Sequence, residues 1–338
     1  MHRRHRRLAG ITAATLLLTA GCGGDDSDGT TTTASTAPTV AASTTATADA
    51  PAVAPYIDIV SGTVDIDDVA EQTGQDDYTI AFLLADTAGT CTATWGGSKA
   101  LDDSTVQAEI AKIAALDGDV IVSTGGATGT YLESVCTADQ LAAAYASALD
   151  AAGSNALDVD IEQTVTAATV TQALSTLQAD RGTAITLTVP VGGTVLGLTD
   201  TSIALLQSAA DAGLDVTVNA MTMNFTEEND DWGTSMTTAT EAVVADVKSV
   251  WTTLSDEEAY QMLGVTPMIG VNDTGPITDI ADAQTLLDYA GEKGLGFVRF
   301  WSVNRDNGGC TTGEVEATCS GIAQDSYAFT KMFADFGK

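Results

Sequence analysis

From Tyr56 onward, short apolar runs alternate with longer Ala-rich stretches whose apolar positions recur at helical spacing. The runs Tyr56–Val60, Tyr78–Ala85, Asp119–Ser123, Ala156–Glu162, Ala184–Pro190, Val216–Phe225, Thr266–Val271 and Gly296–Val303 read as strands. Between and after them, Ser104–Leu116, Ala138–Ala152, Ala167–Ala179, Ser202–Ala212, Thr237–Leu254, Ile280–Lys293 and Gln324–Phe336 read as helices. Thr137-Ala138-Asp139, Ser255-Asp256-Glu257 and Thr278-Asp279 are helix starts, and Gly153, Gly182, Gly213 and Gly294 are stops. Alternating strands and helices predict an α/β fold on a parallel sheet. Eight such units fit a (β/α)8 TIM barrel over residues 56–338 better than a doubly wound sheet. The first strand is not followed by a G-x-G-x-x-G turn, which weighs against a dinucleotide site.

The fourth run carries the most chemistry. In Asn155-Ala156-Leu157-Asp158-Val159-Asp160-Ile161-Glu162, three carboxylates alternate with buried-type residues. Strand side chains alternate faces, so Asp158, Asp160 and Glu162 share one side. Crowded like charges raise one another's pKa values, which suits a site needing a protonated carboxyl near neutral pH. A solvated polar face is the bland reading, and the apolar residues between the acids lower its weight.

Residues 1–22 have the pattern of an export signal: Arg3, Arg4, Arg6 and Arg7, an apolar run Leu8–Leu18, then Leu18-Thr19-Ala20-Gly21-Cys22. The last five residues resemble a lipobox, which makes Cys22 the expected lipidation site and the outer face of the cell membrane the expected location; the alternative is ordinary signal cleavage and a secreted protein. Residues 23–55 are rich in Thr, Ala, Ser, Asp and Gly and are expected to form a disordered tether. Cys91, Cys136, Cys310 and Cys319 follow, an even number in an exported context. Of three pairings, Cys91–Cys136 with Cys310–Cys319 is expected, the second closing a short Gly/Thr-rich loop. A four-cysteine zinc site is disfavoured, because no C-x₂₋₄-C pair occurs.

Both histidines, His2 and His5, lie in the signal, so neither a His-dependent triad nor a His-ligated metal is expected. The formal charge of −33 includes 13 basic residues, four of them in the signal. Nucleic acid and anionic membrane surfaces are therefore excluded as electrostatic partners. A monomer is the expectation.

In a barrel, strand C-terminal ends face the active site. Gly125-Gly126, Glu162, Asn224, Asn272-Asp273 and Trp301 all fall at such ends. With this placement the sequence resembles the glycoside hydrolase family 18 chitinases, from Tyr56 to about Phe336. Asp158, Asp160 and Glu162 match the last three acids of the family's fourth-strand signature, and Asn155-Ala156 replace its leading Asp-Gly. Ser123-Thr124-Gly125-Gly126 matches the third-strand Ser-x-Gly-Gly. Met221-Thr222-Met223-Asn224 stands for the sixth-strand Met-x-Tyr-Asp, and Trp301 for the eighth-strand Trp.

The resemblance implies substrate-assisted, retaining hydrolysis of β-1,4 bonds next to N-acetylglucosamine, with no metal or organic cofactor. Glu162 would protonate the leaving oxygen, and the substrate's acetamido oxygen would attack the anomeric carbon. Asp160 would orient the acetamido group, Asp158 would tune Asp160, and Trp301 would floor the sugar site. The chain departs from the family at Met223 and Phe225, where a Tyr hydroxyl is usual; a positioned donor is worth on the order of 10²-fold in rate. Tyr260 and Gln261 are the candidates to compensate.

Met221, Met223, Asn224, Gly125 and Gly126 are assigned to substrate binding, as are Trp95 and Trp232 by stacking on sugar rings or, equally, as loop anchors. Trp251 is assigned to the core, Asn272-Asp273 to the cleft or a turn, and Arg305 to an ion pair with Asp306. The substrate class is a chito-oligosaccharide or another N-acetylglucosamine-containing glycan, since 5% aromatic residues argue against a groove paved for crystalline chitin. The main rival is a non-catalytic glycan-binding lipoprotein, and cleavage of the chitobiose core of N-glycans is a third reading.

Overall fold

The computed structural model describes residues 51–226 and 231–338. Cys22, the signal and most of the predicted tether lie outside the described residues. The tether was expected to run to residue 55, but Val53 and Ala54 are already buried in the barrel wall.

Eight parallel strands form the wall: β1 Tyr56–Asp58, β2 Tyr78–Ala85, β3 Val120–Gly125, β4 Ala156–Asp160, β5 Ala184–Gly193, β6 Thr217–Met221, β7 Leu263–Val265 and β8 Phe297–Val298. Each pairs with the next in chain order. Residues just outside the first and last strands close the ring: Val53 bridges Val298 in parallel, and the Tyr56 N–H donates to the Phe300 carbonyl at 3.1 Å. Closure removes the sheet edges.

The helices wrap the wall: α1 Ile66–Thr73, α2 Ser104–Ala115, α3 Ala138–Ala152, α4 Ala167–Arg181, α5 Asp200–Asp211, α6 Trp232–Val250, α7 Ile280–Lys293 and α8 Ala328–Phe333. Short polar side chains start them. Thr137 and Gln140 form a reciprocal cap on α3, and Asp279 accepts from the Ala281 and Asp282 N–H groups at the start of α7. Alternate strand residues such as Leu157, Val159, Leu187 and Val218 join Leu141, Leu174, Leu206 and Val243 of the helices in one continuous core.

The seventh strand departs from its expected span, Thr266–Val271. Its ladder covers Leu263–Val265 and is interrupted at Pro267, which has no N–H to donate, before a single parallel bridge from Met268 to Trp301. Gly270–Val271 instead forms an antiparallel pair with Ile277–Thr278 above the barrel. Two further antiparallel extensions sit on that side: Ala93–Trp95 against β2, and Gly197–Leu198 against the end of β5. Disulfides Cys91–Cys136 and Cys310–Cys319 form as expected.

Candidate active site

The inside of this barrel is polar at its centre. Asp158, on β4, is fully buried and saturated with donors. Its Oδ2 accepts from Tyr56 Oη at 2.9 Å and Ser123 Oγ at 2.7 Å; its Oδ1 accepts from Thr188 Oγ1 at 2.5 Å and Arg299 Nη1 at 2.8 Å. Asn219 braces this cluster from β6, donating through Nδ2 to Thr188 Oγ1 and Tyr56 Oη, and its Oδ1 accepts from Thr266 Oγ1. An Arg–Asp pair enclosed like this needs such extra partners to offset its desolvation.

One step along β4, Asp160 is 4% exposed and faces the cleft. Its Oδ1 is buried without a partner. Burial, then the charges of Glu162, Asp158 and Glu133, push its carboxyl well above the usual carboxylate range, with Arg299 opposing them. Glu162 follows just beyond the strand end. Burial, then the Asp273 charge, pushes its carboxyl up to about 7. The stacked acids thus do not behave alike: Asp158 is paired with a cation, and Asp160 and Glu162 are the two held toward protonation.

Glu162 is fixed through its main chain. Its N–H donates to Tyr131 Oη at 3.0 Å, and that hydroxyl donates to the Gly126 carbonyl at 2.5 Å. The Gly126 N–H in turn donates to the Asp160 carbonyl at 3.1 Å. Both glycines of this turn have positive φ, and a Cβ on Gly125 would stand 1.8 Å from the Asp160 carbonyl oxygen. A side chain there would force β3 and β4 apart.

The cleft above the acids has a volume of about 390 Å³, within the range of small-ligand sites. Trp301 and Phe82 line it, their rings stacked at 5.4 Å between centroids and 19° between planes, with Tyr56 tilted against both. Met221 and Met223 also line it and form an apolar cluster with Met268, against which Trp301 packs. Asn224 completes that wall in a left-handed conformation (φ 64°), which Asn tolerates. Its Oδ1 accepts from the Asp273 N–H at 2.9 Å, and its Nδ2 donates to Asp273 Oδ2 at 3.2 Å. Asn224 therefore ties the end of β6 to the loop that carries Asp273 toward Glu162. Among the described residues, no cluster of His, Cys, Asp and Glu has metal-binding geometry.

Relatives sharpen this geometry. No family model matches the chain. A probable bifunctional chitinase/lysozyme of Escherichia coli K12 is 31% identical over 311 residues, 84% of this chain and 34% of that protein. Endochitinase 11 of Metarhizium anisopliae is 29% identical over 276 residues, 75% of this chain and 52% of that protein. The chain thus spans about a third and about half the length of these two relatives. Active domain 2 of the thermostable chitinase from Pyrococcus furiosus, solved with chito-oligosaccharides, superposes with a TM-score of 0.78 at 32% identity, covering 84% of this chain and 93% of that one. The chain belongs to the family 18 chitinases.

Against the family frame, the sequence-assigned residues fall into two groups. Asp160, Glu162, Met221, Met223, Asn224 and Trp301 converge on the cleft, and Asp158 lies directly beneath. Gly125 and Gly126 do not line it; they let the strand ends approach, so their assignment to substrate contact is corrected. Trp95 is fully buried beside β2 with Nε1 directed to the Leu101 carbonyl, and Trp232 is 3% exposed, donating to Thr278 Oγ1 and packing on Phe225. Neither indole offers a face to a sugar, so both are anchors.

Tyr260 and Gln261 do not compensate for the absent family Tyr. Their short helix, Asp256–Met262, precedes β7 at the far end of the barrel, and Tyr260 donates to Glu241. Phe225 is buried against Trp232. Arg305 makes no ion pair with Asp306: it donates to the carbonyls of Ile269, Val271 and Glu316, and Asp306 accepts from Phe329, Thr330 and Gln324. Tyr56, Phe82, Tyr131, Thr188 and Arg299 also belong to the site, and no motif singles them out. Only Arg299 left a signal, a lone cation inside the apolar run Phe297-Val298-Arg299-Phe300-Trp301.

Proposed function

We propose that the chain hydrolyses β-1,4 linkages next to N-acetylglucosamine in chito-oligosaccharides by a substrate-assisted, retaining route. The observation that carries this reading is Glu162, a carboxyl pushed up to about 7 at the mouth of a cleft floored by Trp301 and Phe82. Such a group is protonated near neutral pH and is matched to the task of a general acid. Its proton goes to the leaving glycosidic oxygen as the C–O bond breaks. The acetamido oxygen of the retained sugar bonds to the anomeric carbon, giving an oxazolinium ion.

Asp160 is suited to hold that acetamido group. Its unpartnered Oδ1 accepts the substrate N–H, and the positive charge developing on the ring favours its ionised form over the protonated one that burial favours. The Asp158–Arg299 pair acts on Asp160 through charge alone, Asp158 raising its pKa and Arg299 lowering it. Water then opens the oxazolinium from the face the aglycone left, with Glu162 taking back a proton. The second displacement restores the β configuration. Asn224 takes the part of the family Tyr: its Nδ2 has a second N–H for the acetamido oxygen beyond the one given to Asp273. No metal or organic cofactor enters any step.

The disulfides and the Leu18–Cys22 pentad support an exported protein held at the outer face of the cell membrane by a lipid on Cys22. Replacing Cys22 with Ser should release it from membranes; continued association of that variant contradicts the anchor. A glycan-binding protein without turnover is the less favoured reading, because a binding site has no need of a raised carboxyl beside an unpartnered one.

The reaction course is tested by following the anomers of the first product by NMR. The β anomer should form first and then mutarotate. Initial appearance of the α anomer excludes the acetamido route.

A further inference from the structure

Four carboxylates line the cleft, Asp58, Asp160, Glu162 and Asp273, and no lysine or arginine lies among the described lining residues. The proposed chemistry uses Asp160 and Glu162, and Asp273 is engaged by Asn224. Asp58 is left without a task. It ends β1 and lines the cleft together with Val60, Phe82 and Leu84.

Its main chain is clamped. The Asp58 N–H donates to Asn304 Oδ1 at 2.8 Å, and Asn304 Nδ2 donates back to the Asp58 carbonyl at 3.3 Å. Asn304 is itself buried and also donates to Ser61 and Thr63. The carboxylate accepts the Val60 N–H on Oδ1 at 3.2 Å and is also stabilised by the Ser61 N–H, and it forms no ion pair among the described residues. Burial raises its pKa against these two backbone N–H groups, and no cation among the described residues offsets the burial of its charge. This is a pre-positioned anion on a rigid scaffold, in an acidic cleft of a chain with formal charge −33. A cation is drawn to such a cleft, and an ammonium makes the stronger, charge-assisted bond to Asp58.

We propose that Asp58 is a specificity-determining residue that recognises the ammonium of a glucosamine unit in a subsite flanking the scissile bond, so that the preferred substrates are partly deacetylated chito-oligosaccharides. This rests on the hydrolytic reading above. The unit that supplies the acetamido oxygen remains N-acetylated; the deacetylated unit sits to one side of it. Neutral sugar hydroxyls also bond to carboxylates, but they gain nothing from the net charge of the cleft.

The test digests chitosan oligomers of about half acetylation with wild-type protein and with Asp58→Asn, which keeps an oxygen for the Val60 N–H. Products are sequenced by mass spectrometry. Wild-type products should carry N-acetylglucosamine at the new reducing end and glucosamine enriched about tenfold at one nearby position, the worth of one hydrogen bond to a charged group. In Asp58→Asn that enrichment should vanish while the reducing-end unit stays the same. Equal glucosamine frequencies in both proteins overturn the assignment, since a hydroxyl partner gives that result. If the variant does not fold, wild-type protein in 1 M salt decides: the enrichment must shrink as the charges are screened, and an undiminished one contradicts it. If wild-type protein cleaves neither chitotetraose nor chitosan, the hydrolytic reading fails. Calorimetry then decides the Asp58 assignment alone: about tenfold weaker binding of glucosamine tetramer by the variant supports it, and equal binding overturns it.

Discussion

Arg299 Nη1 lies 2.8 Å from Asp158 Oδ1, and both side chains are sealed inside the barrel. This pair changes the meaning of the acidic motif on β4. Three carboxylates on one strand face predict mutual repulsion, yet the innermost is neutralised by a cation from the opposite side of the ring. The raised pKa values fall on Asp160 and Glu162, where the cleft begins.

Removing one member of a buried pair strands the other. Arg299→Met should destabilise the fold by about 3–5 kcal/mol, measured by denaturant unfolding. The double variant Arg299→Met/Asp158→Asn should recover part of that loss, because no bare charge remains. A double variant less stable than the sum of the singles contradicts the pairing.

Glu162 must hold its proton to act as an acid. The alkaline limb of kcat/KM should therefore fall near pH 7, where its carboxyl titrates. Asp273 is one cause of that elevation, so Asp273→Asn should move the limb to lower pH while leaving its shape unchanged. The sign for stability follows from the same shift. The folded protein keeps this proton above the ordinary value of 4.5, so the contribution of Glu162 to stability falls as pH rises from about 4.5 to 7.

The Cys91–Cys136 bridge joins the loop after β2 to the loop before α3, across 45 residues of chain. Replacing both cysteines with Ser should cost about 2–4 kcal/mol, seen as a lower unfolding midpoint. An unchanged midpoint in oxidising buffer contradicts the bridge.

The barrel was legible because its period is simple: strand positions alternate and helices repeat at three to four residues. Strand ends were less so. Pro267 cuts the seventh ladder short, and β5 runs on to Gly193 into an extension that alternation alone does not foresee. The acids of the site could be read from their spacing on one strand. Their environment could not, since Tyr56, Thr188 and Arg299 meet Asp158 across 30 or more residues of sequence. The tryptophans show the converse: Trp95 and Trp301 look alike as letters, and only burial separates an anchor from a floor.

The central claim is that Glu162 donates the proton that cleaves the glycosidic bond. The direct measurement is release of N-acetylglucosamine oligomers from chitotetraose by wild-type protein and by Glu162→Gln, with binding to each followed by calorimetry. Wild-type protein should turn over, and the variant should lose on the order of 10²–10⁴-fold in kcat with affinity largely kept. Equal rates in the two proteins, or binding without turnover in both, would contradict it.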